Sequence, residues 1–373
     1  MDRVGLILVL EAGLSSPLRN RVRDRLRELG AQVRVVDGGE RTYLEVSGQD
    51  LAIRTLHPQS WPGVSHVLPL TPPHPHASRR SDSDSERAVP VSVATGSGEA
   101  VSVGGDDLVV IGGPCSIEDE GRTIALAHEL RDAGCGLFRG GAYKPRTSPY
   151  AFQGLEEEGL RILAQVREET GMGVVTEVMD SADLPKVVEI ADLLQVGSRN
   201  MQNFSLLKRL GSVDKPVLLK RGYASTVEEL LLAAEYILSG GNHRVILCER
   251  GIRDVAGSSQ VILDLGAVPE LRLRSHLPIL VDPSHGSGAA HRVAPLARAA
   301  TAVGADGLLI EVHNDPTRAL SDGQQALTIE QFRRTMDEIA AIHRALPATA
   351  RDIASREAET GAFPGIVATP GKD

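Results

Sequence analysis

Between Asp107 and Leu346 eight short apolar runs alternate with amphipathic or helix-like stretches, and nearly every run ends in a polar cluster. A shorter segment at the start of the chain follows the order βαββαβ. These two patterns predict an α/β chain: a (β/α)8 TIM barrel preceded by a small α+β ferredoxin-like domain. At 373 residues the chain is long enough for two or three domains, and 42% apolar content supplies a sizeable core.

The first module is read over residues 1–70. Val4–Leu10 is an apolar strand, and Leu18, Val22, Leu26 and Leu29 recur at helical spacing in an Arg-rich segment that stops at Gly30. The strands QVRVVD and TYLEVS flank Gly38–Gly39, a hairpin signal, before a helix-like piece at Leu51–Leu56 and a last strand, VSHVLPL. No cluster of catalytic residue types falls here, so the module is expected to bind or regulate.

Residues 71–106 are read as a linker with a β-hairpin. Residues 71–88 are rich in Pro, Ser, Asp and Arg without apolar periodicity, and His74 and His76 are expected to be solvated there. VPVSVATGSGEAVSV then reads as a hairpin turning at Gly96–Gly98. The barrel occupies residues 107–346. Its strands are LVVIGG, GLFRG, GVVTEV, LLQVG, PVLLKRG, VILCERG, PILVDPS and GLLIEV. A closing helix carries Ile329, Phe332, Met336, Ile339 and Leu346 on one face. A doubly wound open sheet is the alternative, but no G-x-G-x-x-G or Walker sequence is present to mark it. Residues 347–373 read as a flexible C-terminal tail.

Composition excludes several functions. Aromatic residues are 3% of the chain and the net charge is −9, with no Lys/Arg-rich run, so nucleic acid and anionic membrane are poor partners. No apolar stretch reaches the roughly 18 residues of a spanning helix, and the acidic start reads as a strand rather than a signal peptide. Three cysteines, Cys115, Cys135 and Cys248, cannot make an extracellular disulfide framework. The chain is expected to be cytoplasmic.

Barrel active sites lie at the C-terminal ends of strands, and two sets of residues stand there. The first is cationic: Arg139, Lys144, Arg146, Lys220 and Arg250. Five positive groups on one rim of an acidic protein suit a multiply charged anion, because guanidinium forks match phosphate and carboxylate. The alternative is a ring of ion pairs with Glu177 and Glu249. The second set is Cys115, His285, Glu311 and Asp322, one thiol, one imidazole and two carboxylates, donors that suit Mn, Fe, Co or Zn. No close ligand spacing supports it. Cys115 also reads as a small buried hydrophobe and Asp322 as a loop residue. Cys135 and Cys248 read as structural.

At these residues the sequence resembles the 3-deoxy-D-arabino-heptulosonate 7-phosphate (DAHP) synthases, specifically the type I-beta subgroup with an N-terminal ferredoxin-like domain. The motifs are GGPCSIE (112–118), RGGAYKPRTSPYAFQG (139–154), QVGSRNMQNF (195–204), PVLLKRG (216–222), LCERGIR (247–253), LPILVDPSHGSG (277–288) and EVHNDPTRALSDGQQAL (311–327). The resemblance implies an aldol-like condensation of phosphoenolpyruvate with erythrose 4-phosphate, releasing phosphate, as the first step of the shikimate pathway.

It further implies that Cys115, His285, Glu311 and Asp322 hold a divalent metal ion. Arg139, Lys144, Lys220 and Arg250 would hold phosphoenolpyruvate, and Pro145, Arg146, Thr147 and Ser148 the aldose phosphate. Lys144 is the expected proton donor and Glu177 positions water, with His285 as a competing acid or base. The sister reading is 3-deoxy-D-manno-octulosonate 8-phosphate synthase, but Pro145 stands where that family carries Asn. A non-catalytic binding barrel would be expected to have lost Cys115 or Lys144. The N-terminal domain implies an aromatic amino-acid effector, tyrosine or phenylalanine, in a homotetramer. The Ser/Asp/Pro-rich linker is longer than the subgroup usually shows.

Overall fold

The structure is a computed structural model describing residues 4–37, 42–47, 58–69, 72–79, 88–144, 148, 150–254 and 261–346. The chain divides into two compact units, Met1–Pro75 and His76–Asp373.

In the first unit, β1 (Val4–Leu10), α1 (Ser16–Glu28), β2 (Gln32–Asp37), β3 (Thr42–Ser47) and β4 (Val64–Pro69) form an antiparallel sheet in the order β2-β3-β1-β4. That is the order of the split βαβ motif. Leu6, Leu8, Leu10 and Leu44 pack against Val22 and Leu26 of α1, with Trp61 closing the cluster. The Arg25 guanidinium lies 4.2 Å from the Trp61 ring centroid. The helix ends at Gly30, whose φ of 81° only glycine adopts without strain. The expected turn at Gly38–Gly39 and helix at Leu51–Leu56 lie outside the described residues.

The second unit begins with an anchored strand of linker. The backbone N–H groups of His76 and Ala77 donate to the Glu235 carboxylate, and Nδ1 of His76 sits 2.5 Å from the same group. Arg79 donates to the carbonyls of Arg272 and Ser275. The expectation of two solvated histidines is corrected by these contacts: His76 is exposed but paired, and His74, in the first unit, is buried at 1%. Composition could not reveal this, because the partners of His76 lie some 160 residues away.

Strands β5 (Val91–Ala94) and β6 (Ala100–Val103) form the expected hairpin. Beyond it, β7 (Val109–Gly113), β8 (Leu137–Arg139), β9 (Gly173–Glu177), β10 (Leu193–Val196), β11 (Val217–Lys220) and β12 (Val245–Glu249) follow in turn. After a two-residue ribbon, β13 (Ile252–Arg253) and β14 (Val261–Ile262), come β15 (Ile279–Val281) and β16 (Gly307–Glu311). The eight longer-range strands close into a parallel barrel in the order β7-β8-β9-β10-β11-β12-β15-β16. Around it lie α2 (Glu120–Asp132), α3 (Glu157–Thr170), α4 (Leu184–Ile190), α5 (Phe204–Leu210), α6 (Val227–Leu238) and α7 (Ala267–Arg274). Three more follow: α8 (Pro283–Ser287), α9 (Ala290–Ala302) and α10 (Ile329–Ala345). Phe332 and Ile339 bury the apolar face of α10.

Both faces of each strand are covered, which is why the strands read as unbroken apolar runs rather than alternating ones. Alternation still decides what faces inward. Val109, Ile111, Leu137, Val175, Leu193, Leu218, Ile246, Cys248, Leu280 and Leu309 form one interior cluster, and Val91, Val93 and Val103 of the hairpin join it. The hairpin therefore closes the barrel at the N-terminal end of the strands, where Gly96 and Ser97 donate to the carbonyls of Met172 and Gly171.

Candidate active site at the C-terminal rim

Counting two residues on from the last interior apolar position of each strand gives the rim. Leu137 leads to Arg139, Val175 to Glu177, Leu193 to Gln195 and Leu218 to Lys220. Likewise Cys248 leads to Arg250, Leu280 to Asp282 and Leu309 to Glu311. Side chains two apart share a face, so the same strands that fill the barrel with apolar groups also aim these polar groups into its mouth. Five of them, Arg139, Glu177, Gln195, Lys220 and Arg250, border a cavity of about 960 Å³ that Lys144, His285 and Asp322 also line.

The intervening positions point the other way. Arg221 and Glu249 fall on the outward parity, and Arg221 Nη1 donates to Glu249 at 2.8 Å and to Asp264 at 2.9 Å. The alternative of rim ion pairs with Glu177 and Glu249 is therefore corrected. Lys220 Nζ pairs instead with Asp282 Oδ2 at 2.6 Å, and Arg139 Nη1 stands 3.9 Å from Glu311. Glu177 accepts from Gln195 Nε2 at 3.3 Å. Its carboxylate lies 2.0 Å from where a Cβ on Gly197 would stand, so a larger residue there would displace Glu177.

Among the described residues, the buried side-chain nitrogens without a hydrogen bond are Arg139 Nε and Nη1 and Arg250 Nη1. Orphaned buried donors are costly, and these belong to the two guanidinium groups at the cavity. The Tyr223 ring centroid lies 4.4 Å from the Arg250 guanidinium carbon and 5.9 Å from that of Arg199. Lys144 is buried with Nζ 2.7 Å from Cys115 Sγ. Burial opposes its charge, but the neighbouring Cys115 and Glu177 outweigh that and hold its pKa above the ordinary lysine value. The peptide on either side of its loop is pinned, since Lys144 N–H donates to the Gln153 carbonyl and Tyr143 bridges to Gly154. Pro145, Arg146 and Thr147 lie outside the described residues, and Ser148 is exposed.

The second set converges beside Lys144. Ligand atoms of Cys115, His285 and Glu311 all lie within 4.8 Å of one another. Cys115 Sγ is 3.7 Å from His285 Nε2, and Glu311 Oε2 is 3.6 Å from the same nitrogen. Asp322 Oδ2 lies 2.9 Å from Cys115 Sγ. Atoms bound tetrahedrally at 2.0–2.3 Å from an ion stand roughly 3.3–3.8 Å apart, so the distances from His285 to Cys115 and Glu311 fit a divalent cation, while Asp322 stands closer to Cys115 than that range.

The imidazole is prepared for that role. Its Nδ1 faces Asp282 Oδ2 at 2.8 Å, which leaves Nε2 for the cluster. Burial drives the His285 pKa down to about 3, so the ring is neutral at neutral pH. Burial also pushes Cys115 up to about 12, with the Glu311 charge adding to it, and Glu311 up to about 7. Protons hold these groups where a cation would replace them.

Asp282, Gln195, Arg199, Tyr223 and Gln325, which donates to Glu311 at 2.9 Å, are site residues that the sequence reading did not single out. The parity count from Leu280 and Leu193 finds the first two. Arg199 lies in the QVGSRNMQNF motif and Gln325 in the EVHNDPTRALSDGQQAL motif, while Tyr223 carries no such signal.

Fold and rim together define an enzyme of the (β/α)8 class whose mouth pairs an anion cradle with a cluster of thiol, imidazole and carboxylate. The chain belongs to the DAHP synthetase I family, which it matches over residues 88–345. It is 43% identical over 341 residues to the phospho-2-dehydro-3-deoxyheptonate aldolase of Thermotoga maritima, covering 91% of this chain and 98% of that one. A crystal structure of the Thermotoga maritima DAHP synthase matches with a TM-score of 0.80 at 42% identity, over 92% of this chain and 98% of that one. The 2-dehydro-3-deoxyphosphooctonate aldolase of Syntrophobacter fumaroxidans is 34% identical over 261 residues, covering 65% of this chain and 90% of that protein.

Proposed function

We propose that this DAHP synthase condenses phosphoenolpyruvate with D-erythrose 4-phosphate and water at the barrel rim, giving DAHP and inorganic phosphate. The observation that carries this reading is the pair of buried guanidinium groups, Arg139 and Arg250, whose Nε and Nη1 (Arg139) and Nη1 (Arg250) lack a hydrogen bond, beside the Cys115–His285–Glu311 cluster. Arg139, Lys144, Lys220 and Arg250 hold phosphoenolpyruvate. Arg146, Thr147 and Ser148, following Pro145, take the phosphate of the aldose.

A divalent ion (Mn, Fe, Co or Zn) held by Cys115, His285, Glu311 and Asp322 supplies Lewis acidity toward the aldehyde when bound. The protein groups do the rest. Carbon three of phosphoenolpyruvate bonds to the aldehyde carbon, and Lys144, charged at neutral pH, gives the proton that the new hydroxyl needs. Glu177, steadied by Gln195, orients the water that adds to carbon two, and the proton this water releases restores Lys144. The C2–O bond to phosphate then breaks as the new hydroxyl gives its proton to the leaving phosphate, which remains paired with the arginines until release. His285, neutral and fixed by Asp282, serves better as a ligand than as an acid.

The unit at residues 1–70 is read as the seat of feedback inhibition by tyrosine or phenylalanine in a cytoplasmic homotetramer, a coupling between two sites. Among the described residues no helix is long and apolar enough to cross a membrane. A rate that stays flat in millimolar tyrosine, phenylalanine and tryptophan overturns the inhibition.

The catalytic reading is tested by phosphate release from phosphoenolpyruvate in metal-stripped protein, before and after Mn(II), with erythrose 4-phosphate or arabinose 5-phosphate. Turnover that needs Mn(II) and the four-carbon sugar is the expected result. Preference for the five-carbon sugar overturns the substrate, and turnover without metal overturns the role of the cluster.

A further inference from the structure

Of the four residues in the cluster, His285 lies in α8, Glu311 ends β16 and Cys115 follows β7 by two residues. Asp322 lies in the long connection between β16 and α10, just before the 3-10 turn Gly323–Gln325, with a left-handed backbone at φ 51° and ψ 23°. Non-glycine residues enter that region at a cost and persist there when surrounding structure holds them.

What surrounds Asp322 is a set of buried contacts outside the cavity lining. Ser321 Oγ lies 2.6 Å from Ser116 Oγ, so the neighbours of Asp322 and Cys115 are joined directly. Glu118 Oε1 accepts the Leu320 N–H at 2.8 Å and the Ser116 hydroxyl at 3.4 Å. Its Oε2 is buried without a hydrogen bond and lies 3.5 Å from His313 Nε2. The Asp315 N–H donates to His313 Nδ1 at 3.0 Å, which leaves the ring proton on Nε2, the nitrogen 3.5 Å from Glu118. One carboxylate thus touches the residue next to Cys115, the stretch leading into Asp322, and the side chain two positions after Glu311.

We propose that Glu118, together with Ser116 and Ser321, is a positioning device that presents Asp322 to the metal and so sets how tightly the ion is held. The proposal rests on the reading of Cys115, His285, Glu311 and Asp322 as ligands. Glu118 touches neither the ion nor the substrates. It ties the β7–α2 loop to the β16–α10 loop, so that Asp322 is held beside Cys115 before the metal arrives. Without that tie, the ordering of the loop falls on the binding step itself.

The test uses the full chain, stripped of metal and titrated with Mn(II), with the free ion followed by electron paramagnetic resonance. Glu118→Ala and Ser321→Ala are expected to weaken Mn(II) binding about tenfold or more, the usual effect of losing support behind a ligand. Ser321→Thr, which keeps the hydroxyl, is expected to bind within twofold of wild type. At saturating Mn(II) the KM for phosphoenolpyruvate stays unchanged in all three. Variants that fold as wild type by circular dichroism and bind Mn(II) equally well overturn the proposal. So does Ser321→Thr weakening as much as Ser321→Ala, which marks a packing role instead. Should Glu118→Ala not fold, the Ser321 pair decides. A wild-type chain that binds no Mn(II) overturns the ligand reading and this proposal with it.

Discussion

Asp282 Oδ2 lies 2.8 Å from His285 Nδ1, while the other oxygen of the same carboxylate accepts the His285 backbone N–H at 2.9 Å. One side chain caps α8 and orients its imidazole. It also pairs with Lys220 at 2.6 Å, so it links the cluster to the anion cradle.

Asp282→Asn separates these tasks. The amide keeps an oxygen for the cap but loses the charge that fixes the tautomer. Mn(II) affinity is expected to fall roughly 10- to 100-fold, with the helix intact by circular dichroism. Affinity equal to wild type would show that the ring needs no charged partner.

Metal binding competes with protons, and the direction follows from the shifts. In the metal-free chain burial holds the Cys115 thiol up to about 12 and Glu311 up to about 7, while His285 sits down at about 3. At neutral pH binding displaces the thiol proton, and below about pH 7 a second one from Glu311. Affinity therefore rises with pH, about tenfold per unit above pH 7 and steepening toward a hundredfold per unit below it. The Glu311 contribution to metal-free stability has the opposite sign. It is present below the usual carboxylate pKa and is lost as pH climbs through about 7. Chelator competition at several pH values, with urea melts beside it, measures both slopes.

Arg250 Nη1 is buried without a hydrogen bond, and the Tyr223 ring steadies its guanidinium at 4.4 Å. Arg250→Ala is expected to lower kcat/KM for phosphoenolpyruvate roughly 10- to 100-fold, the worth of hydrogen bonds to a charged group. Tyr223→Phe keeps the ring and stays near wild type, while Tyr223→Leu loses about two- to fivefold. Steady-state kinetics at fixed erythrose 4-phosphate separates the three.

Val93 is fully buried among the interior residues at the closed end of the barrel. Val93→Asp puts a carboxylate where no partner exists and is expected to cost about 3–5 kcal/mol of stability, read from urea unfolding. The truncation Val93→Ala is milder. A Val93→Asp chain as stable as wild type would mean the hairpin is not part of the core.

Much of the barrel is legible in the chain itself. Runs such as GVVTEV and VILCERG are short, apolar and regularly spaced because every barrel strand is buried on both faces. Polar residues after each run mark the C-terminal rim, and period two separates Lys220, which faces in, from Arg221, which faces out. The partners of those groups are not legible. Lys220 meets Asp282 across 62 residues and Ser116 meets Ser321 across 205, contacts set by strand order and closure rather than by spacing. His76 on Glu235 is the same case, since a polar linker looks alike whether it is solvated or docked.

The sequence by itself determined the eight-strand rhythm, the end of each strand that carries chemistry and the residue types gathered there, because local periodicity and burial are properties of neighbouring residues. Only the tertiary structure decided which guanidinium nitrogens stay without a hydrogen bond, which carboxylate orients His285 and which side chains gather around the approach to Asp322. Those outcomes depend on side chains brought together when the barrel closes, and closure is a property of the whole chain.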